Sequence, residues 1–233
     1  HRSQALAALM EGSRAVAVAG AHGKTTTSAM IAVLLEGAGI APSFAIGGSV
    51  RTADGALAGG HLGSGDVLVA EADESDGSFL NYRPTIAVVT NVEPDHLDNY
   101  GTTEAFERAF VEFAARVRPG GCLVACLDDD GARRLVDVHR AAGGQVVTYG
   151  TSADADVRVE RYAPSGDGST ATLVVAGVGG SVGSAPVALR VPGEHNMLDA
   201  AGAVAVALLL GVPLVTAVEA VGAFVGTGRR FED

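Results

Sequence analysis

The sequence is poor in aromatic residues, in lysine and in cysteine. Tryptophan is absent and aromatic residues make up only 5% of 233 residues, so the core must be built largely from alanine, valine and glycine. Acidic residues outnumber basic ones by 27 to 16, and the formal net charge of −11 argues against a general nucleic-acid surface. An apolar fraction of 48% excludes a disordered chain. Local binding of nucleotide phosphates remains possible, because a phosphate loop acts through a few groups.

The two cysteines, Cys122 and Cys126, both fall in one apolar stretch that reads as a strand. Four strand residues span about 13 Å, which is too far for a disulfide. We therefore expect reduced core cysteines and a cytoplasmic location.

No membrane partner is predicted. The first residues, HRSQALAALMEG, contain no long apolar run of the kind that a signal peptide needs. The stretch from Ala200 to Val218 carries no charge, but Gly211-Val212-Pro213 interrupts it. Two buried helices broken at that point are predicted in place of a membrane span.

The stretch from Arg14 to Met30, RAVAVAGAHGKTTTSAM, has the plan of a phosphate-binding loop: strand, glycine loop, helix. Glycines let successive backbone N–H groups face an anion, and the helix N-terminus adds a partial positive charge. The segment keeps GxxGK[ST] and is shorter than the usual GxxxxGK[ST], because Val18 stands at the first glycine position. A tight strand-to-helix turn or a Rossmann turn is the alternative. The predicted phosphate contacts are Gly20, Ala21, His22, Gly23, Lys24, Thr25 and Thr26.

Lys24 is the only lysine in the chain, and all the other basic residues among the 16 are arginine. Arginine is a planar fork, whereas lysine is a compact point charge. The choice of lysine here indicates that the position needs an ammonium group, which suits the β- and γ-phosphates of a nucleotide. The hydroxyl of Thr25 suits Mg²⁺.

Hydrophobic patterning predicts an α/β fold with a P-loop-type, mostly parallel, doubly wound sheet flanked by helices. Its strands are predicted within residues 14–150, and helices over 196–225 complete it. Residues 51–65 are expected to be loop, and Thr103 is expected to cap the helix that follows it. Short strands over residues 156–192 are joined by Gly/Ser/Pro segments and predict a small antiparallel β appendage. The whole of residues 1–233 is interpreted as one domain.

Three apolar strands end in polar clusters: the phosphate loop, EADESD and NVEPDHLD. Ligands of open α/β sheets collect at the carboxyl ends of strands, so these clusters should face one crevice. Glu71 comes first after its strand and is the leading candidate to bind Mg²⁺ with Thr25. His96 could complete a second cation site, orient a carboxylate or be a plain loop residue. A solvated acidic turn is the alternative for EADESD.

Two further groups of candidates lie late in the chain. VPGEHNMLDAAGA places His195, Asn196 and Asp199 at the start of a helix, where the amide of Asn196 could contact a purine edge. Helix capping by Asn196 is the alternative. GTGRRFED offers Arg229 and Arg230, which suit phosphate or ribose oxygens or are simply solvated.

Taken in order and spacing, GAHGKTT, EADESD, NVEPDHLD, PGEHNMLDA and GTGRRF resemble the Mur ligase family over essentially the whole chain. The likeness is to its central, ATP-binding domain, and DESD and GTGRRF point to the alanine-adding members. The resemblance implies that Gly20 to Thr26 bind ATP phosphates, that Thr25 and Glu71 hold one Mg²⁺, and that Glu71 and His96 hold a second. Lys24, Glu71 and His96 would be the catalytic residues. His195, Asn196, Asp199 and Arg229 would lie near adenine, ribose or phosphate, although Asp199 stands where the family usually has Asn.

The resemblance also implies a two-step reaction. The carboxylate of UDP-N-acetylmuramate would attack the γ-phosphate of ATP, and the amine of L-alanine would then attack the resulting acyl phosphate. An N-terminal UDP-sugar domain and a C-terminal domain would be the partners of this one, and without them we expect ATP binding and little ligation. Two alternatives are a folylpolyglutamate-synthetase-like ligase with another acceptor and a non-catalytic nucleotide-binding module.

Overall fold

The computed structural model describes residues 2–52, 55–94 and 97–228, and these form a three-layered α/β fold. Up to residue 150, strands alternate with helices as the hydrophobic patterning predicts, except that residues 43–71 contain five strands with no helix between them. The described strands are β1 (Arg14–Ala19), β2 (Ser43–Ala45), β3 (Ser49–Thr52), β4 (Gly55–Leu57), β5 (Gly60–His61), β6 (Val67–Glu71), β7 (Ile86–Val89), β8 (Cys122–Cys126), β9 (Val146–Gly150), β10 (Val157–Ser165), β11 (Gly168–Val178), β12 (Ser181–Leu189) and β13 (Phe224–Gly228). The described helices are α1 (Arg2–Met10), α2 (Lys24–Gly37), α3 (Leu97–Tyr100), α4 (Thr103–Ala115), α5 (Asp130–Ala141), α6 (Glu194–Leu209) and α7 (Leu214–Val221).

The described strands form a ten-stranded sheet in the order β12-β11-β10-β9-β8-β7-β1-β6-β2-β5. Strands β10 through β2 in this order are parallel neighbours, whereas β11, β12 and β5 join antiparallel. The predicted mostly parallel sheet with an antiparallel part is therefore confirmed. The antiparallel strands extend the main sheet through β10, and the Gly/Ser-rich segment between them forms hairpins.

Side chains alternate along each buried strand, so apolar strands present apolar side chains on both faces of the sheet. Helices cover both of these faces. In β1, Val16 and Val18 face a core shared with α2, α6 and α7, while Ala15, Ala17 and Ala19 face a core shared with α4 and α5. The few aromatic residues concentrate on the second face, where the rings of Phe79, Phe106, Phe110 and Phe113 pack together. On the first face, alanine-rich α6 lies close to the sheet.

One prediction was wrong: residues 51–65 are not a loop. They contain the end of β3 together with β4 and β5, and β3 and β4 belong to a second, three-stranded sheet in the order β13-β3-β4. β3 pairs antiparallel with β13, which comes from the far end of the chain. A glycine-rich stretch with a distant partner gives no local strand signal, which is why the sequence pattern missed it.

The cap of α4 is also shifted from the predicted position. Thr102 is the N-cap, and its hydroxyl accepts a hydrogen bond of 3.2 Å from the backbone N–H of Ala105. Thr103 is the first helical residue. Consecutive threonines leave the cap ambiguous by one position in sequence, and the extended backbone of Thr102 decides it.

The remaining expectations about buried segments can be compared directly with the structure. Cys122 and Cys126 lie buried and unpaired in β8, as predicted. The uncharged stretch forms α6 and α7, separated at Gly211-Val212-Pro213 as expected. Among the described residues, no helix has both the length and the apolar character that crossing a bilayer requires.

Candidate nucleotide-binding site

The three strands with polar ends are neighbours in the sheet, in the order β7-β1-β6. They run parallel, so the phosphate loop after β1, the acidic turn after β6 and the segment after β7 leave the same edge of the sheet side by side. The three polar segments therefore share one edge of the sheet, as predicted, and the space between them is the candidate crevice. Both the acidic turn and the segment after β7 contact the phosphate loop.

The phosphate loop connects β1 to α2 through two glycines with positive φ. Gly20 has φ of 141° and Gly23, the N-cap of α2, has φ of 81°. A Cβ at Gly20 would lie 2.0 Å from the hydroxyl of Thr90, and one at Gly23 would lie 2.9 Å from a carboxylate oxygen of Asp199. Both positions therefore require glycine for backbone conformation and for space. The N-terminus of a 14-residue helix faces the crevice, which suits an anion.

The two residues that follow β7, Thr90 and Asn91, hold the loop from one side. The side-chain amide of Asn91 makes two hydrogen bonds of 3.0 Å with the backbone of His22. Its oxygen accepts from the N–H, and its nitrogen donates to the carbonyl. The hydroxyl of Thr90 donates to the same carbonyl at 2.6 Å. His22 itself points its side chain outward, 3.8 Å from Glu93. The loop is therefore fixed from outside before any ligand contacts it.

Lys24 is held at the other side of the loop by Glu74, in the acidic turn after β6. Its ammonium lies 2.9 and 3.0 Å from the two carboxylate oxygens and donates to the carbonyl of Gly20 at 2.6 Å. Burial raises the pKa of Glu74, and the charge and hydrogen bond of Lys24 oppose that rise. The sequence pattern drew attention to Glu71 in this turn and did not single out Glu74.

Thr25 and Glu71 meet in the crevice next to Lys24. The hydroxyl of Thr25 donates to Oε2 of Glu71 at 3.1 Å, and the backbone N–H of Gly47 donates to the same oxygen at 2.7 Å. A Cβ at Gly47 would lie 2.8 Å from that oxygen, so glycine keeps the carboxylate accessible to the backbone. A hydroxyl and a carboxylate side by side are hard oxygen ligands, and this donor set fits Mg²⁺.

Asp199 reaches the phosphate loop from helix α6. It is 8% exposed, and its Oδ1 accepts a hydrogen bond of 2.9 Å from the hydroxyl of Thr27 in α2. Burial raises the pKa of Asp199 to about 7, and the hydrogen bond from Thr27 only partly opposes the rise. The carboxyl therefore lies beneath the loop, against Gly23.

His195 and Asn196 occupy the first turn of α6, one turn before Asp199. The N-cap of α6 is Gly193, so Asn196 does not cap the helix from the N-cap position. Its amide instead donates to the carbonyl of Pro192 at 2.6 Å. His195 is exposed and packs its ring over Gly193.

Two predicted site residues, His96 and Arg229, lie outside the described residues, as does Arg230. Within the part of the chain that the structure describes, no group of three His, Cys, Asp or Glu is arranged to hold a metal ion. Four contacts around the loop were missed from sequence: Glu74, Thr90, Asn91 and Gly47. Asn91 ends the apolar strand TIAVVTN, and that position at a strand tip was the signal that could have identified it.

Comparison with known families decides how this arrangement is classified. The family model of the Mur ligase middle domain matches residues 18–207, which span the phosphate loop, the acidic turn and the start of α6. The chain belongs to the Mur ligase middle domain family. The resemblance noted from the sequence motifs is thereby confirmed.

Two curated relatives of this Mur ligase middle domain carry the same name. A protein of Kineococcus radiotolerans named UDP-N-acetylmuramate--L-alanine ligase is 54% identical over 232 residues, covering 100% of this chain and 47% of that protein. A protein of the same name from Paenarthrobacter aurescens is 54% identical over 233 residues, covering 100% of this chain and 48% of its own length. The chain thus spans about half the length of the curated relatives it matches.

Solved structures show the same fold. UDP-N-acetylmuramate-alanine ligase MurC from Thermotoga maritima has a TM-score of 0.79 and 28% identity, covering 99% of this chain and 49% of that one. A UDP-N-acetylmuramate:L-alanyl-gamma-D-glutamyl-meso-diaminopimelate ligase from Neisseria meningitides has a TM-score of 0.82 and 27% identity, with coverage of 97% and 71%. The fold class is therefore that of Mur ligases.

Proposed function

We propose that this chain is the ATP-binding middle domain of a ligase that joins L-alanine to UDP-N-acetylmuramate, an early step in making the peptidoglycan precursor. The observation that carries the proposal is the meeting of Lys24, Thr25 and Glu71 at the N-terminus of α2. The relatives that share about half of its residues bear the name of that ligase.

In this proposal, Gly20 to Thr26 surround the phosphates of ATP. Backbone N–H groups of the loop and of the first turn of α2 donate to phosphate oxygens, and Lys24 supplies a full positive charge. His195, Asn196 and Arg229 are proposed contacts to adenine, ribose or phosphate. The resemblance implied that Asp199 contacts adenine. Because its carboxyl is buried beneath the loop, we propose instead that Asp199 holds the loop in place.

Mg²⁺ is the proposed metal. Thr25 and Glu71 would hold one ion, and Glu71 with His96 would hold a second. When bound, the ions would neutralise charge on the phosphate oxygens. The structure supports the first pair through the 3.1 Å contact between the two side chains.

The proposed chemistry activates a poor electrophile. The carboxylate of the sugar substrate attacks the γ-phosphorus of ATP in line, its oxygen forms the new P–O bond, and ADP leaves. The amine of L-alanine then attacks the carbonyl of the acyl phosphate, losing a proton as inorganic phosphate departs and the amide forms. Lys24 and the loop N–H groups would orient the triphosphate and stabilise charge on the transferred group.

The flanking partners complete the proposal. A UDP-sugar-binding domain before this chain and a further domain after it would supply the other two substrates, since the relatives are about twice as long. Neither nucleic acid nor membrane is part of the proposed function. The cytoplasmic location is proposed from the two unpaired, buried cysteines.

Calorimetric titration of this chain with ATP and Mg²⁺ tests the nucleotide site. We expect saturable binding that Lys24→Ala abolishes and that Arg134→Ala, on the exposed surface of α5, leaves unchanged. In a chain extended by its natural flanking sequence, phosphate release should require both UDP-N-acetylmuramate and L-alanine. Absence of heat at millimolar ATP would contradict the proposal, and release with a folate acceptor would replace its substrate.

A further inference from the structure

The ammonium of Lys24 has partners for all three of its N–H groups. Nζ lies 2.6 Å from the carbonyl oxygen of Gly20, 3.3 Å from that of Ala21, and 2.9 and 3.0 Å from the carboxylate oxygens of Glu74. A lysine ammonium offers three donors and no more. To donate to a phosphate oxygen, Lys24 must therefore release one of these partners.

The three partners differ in what their release would do to the protein. The side chain of Glu74 is 0% exposed, and within the described residues its Oε2 accepts no hydrogen bond and depends on the charge of Lys24. A buried carboxylate without a counter-ion is strongly destabilising. The carbonyl of Ala21 belongs to a half-buried loop residue and accepts the longest of these bonds. Its release therefore costs the least.

The turn that carries Glu74 is itself fixed in place. The backbone carbonyl of Glu74 accepts a hydrogen bond of 3.0 Å from the N–H of Gly77 and another from the hydroxyl of Tyr100. The amide of Asn99 donates to the carbonyl of Ser75 at 2.6 Å. The segment that follows β7 thus holds the acidic turn in place through hydrogen bonds. The Glu74 carboxylate therefore has a fixed position next to Lys24.

We propose that Glu74 is a positioning residue for Lys24: it keeps its ion pair with the ammonium while nucleotide phosphates bind, and the donor now directed at the Ala21 carbonyl turns to the phosphate. The inference rests on the proposed nucleotide site and deepens it. A long lysine side chain loses rotamer freedom when it is immobilised on a ligand. Glu74 already restricts the rotamers of Lys24 before the nucleotide binds. A smaller loss of side-chain entropy therefore opposes nucleotide binding.

Two variants of equal charge separate anchoring from electrostatics. Glu74→Gln and Glu74→Ala both remove the carboxylate charge, but only glutamine leaves an acceptor for the lysine. Calorimetry should give an ATP·Mg²⁺ dissociation constant about tenfold higher for Glu74→Ala than for Glu74→Gln. AMP lacks the β- and γ-phosphates, so its dissociation constants in the two variants should agree to within about twofold.

Several outcomes would overturn the inference. Equal ATP affinities in the two variants would show that Glu74 does not position the lysine. A parallel loss of AMP binding in Glu74→Ala would show general damage to the loop. If the unaltered chain bound neither nucleotide, the proposed function itself would fail, and the inference with it.

Should Glu74→Ala fail to fold, carboxyl-carbon NMR on the unaltered chain decides the question. Loss of the Lys24 charge would raise the pKa of Glu74 further, because burial raises this pKa and Lys24 opposes the rise. We expect the pH titration of the Glu74 carboxyl signal to have the same midpoint with and without saturating ATP·Mg²⁺. A midpoint at higher pH in the presence of ATP·Mg²⁺ would show that Lys24 leaves Glu74 for the phosphates.

Discussion

The hydroxyl of Thr27 and the carboxyl of Asp199 form a hydrogen bond of 2.9 Å that joins helices α2 and α6 beneath the phosphate loop. Thr27 is fully buried and Asp199 nearly so. The bond lies one turn inside the helix whose N-terminus faces the proposed phosphates. The first turn of α2 is therefore supported from below by a residue that is far away in sequence.

Asp199→Asn should change how stability depends on pH. Burial raises the folded pKa of Asp199 to about 7 from an ordinary value of 3.8. Between about pH 4 and pH 7 the folded chain therefore binds more protons than the unfolded chain. The free energy of unfolding falls over this range, and the contribution present below about pH 4 is lost as the pH rises through 7. Asparagine does not titrate, so the variant should gain stability relative to the unaltered chain, by at most about 4 kcal/mol at pH 8.

Urea unfolding at pH 5, 6, 7 and 8 measures this difference. Asp73→Asn makes the same exchange of an acid for its amide at an exposed position in the turn after β6, and it is the matched control. Parallel stability curves for Asp199→Asn and the unaltered chain would contradict the prediction.

Thr27→Val should destabilise the fold because it removes the hydrogen-bond donor to Asp199 and keeps the shape. A buried polar group that loses its partner costs about 1–3 kcal/mol. Thr27→Ser keeps the hydroxyl and loses only a methyl group, so it should cost about 1 kcal/mol or less. Denaturant unfolding compares the two, and a serine variant that is as unstable as the valine variant would rule out the hydrogen bond as the cause.

Lys24→Met should destabilise the chain as well as abolish its nucleotide binding. It leaves Glu74 buried without a counter-ion, and removing one partner of a buried pair costs about 3–5 kcal/mol. The loss should shrink as the pH falls, since protonation neutralises Glu74. Combining Lys24→Met with Glu74→Gln should restore most of the stability at pH 7 but not nucleotide binding. A double variant as unstable as Lys24→Met alone would contradict this explanation.

The phosphate loop was predictable because it is local. Two glycines, one lysine and one threonine within six residues specify a strand-to-helix turn that can hold an anion, and the structure places them so. The order of most elements was likewise readable from periodicity, although β4, β5 and β13 were not. That the polar ends of β7, β1 and β6 share one edge of the sheet followed from the general behaviour of parallel sheets.

The contacts that complete the site depend on tertiary packing and left little trace in sequence. EADESD offers several carboxylates, and only the geometry of the turn after β6 shows that Glu74 faces Lys24. Thr27, the hydrogen-bond partner of Asp199, lies 172 positions away in the sequence. Strand β13 was missed because its partner β3 is distant and both are short.

Asn91→Ala should weaken ATP binding more than it weakens the fold. The amide of Asn91 makes two hydrogen bonds of 3.0 Å to the backbone of His22 and so fixes the middle of the phosphate loop. Without them the loop must be ordered by the ligand, and a loss of about 1.4 kcal/mol in preorganisation corresponds to a tenfold higher dissociation constant for ATP.

Asn81→Ala provides the matched control for Asn91→Ala. Asn81 also uses its amide in a side-chain hydrogen bond, donating to the hydroxyl of Ser3 at 3.0 Å, but in the short 3₁₀ turn that packs near α1. It should affect stability by about 1 kcal/mol and leave the ATP dissociation constant unchanged. If both variants weakened ATP binding equally, the effect would arise from general loosening of the fold. Restriction of the loss to Asn91→Ala would show that the segment after β7 contributes to the nucleotide site by holding the loop in its binding conformation.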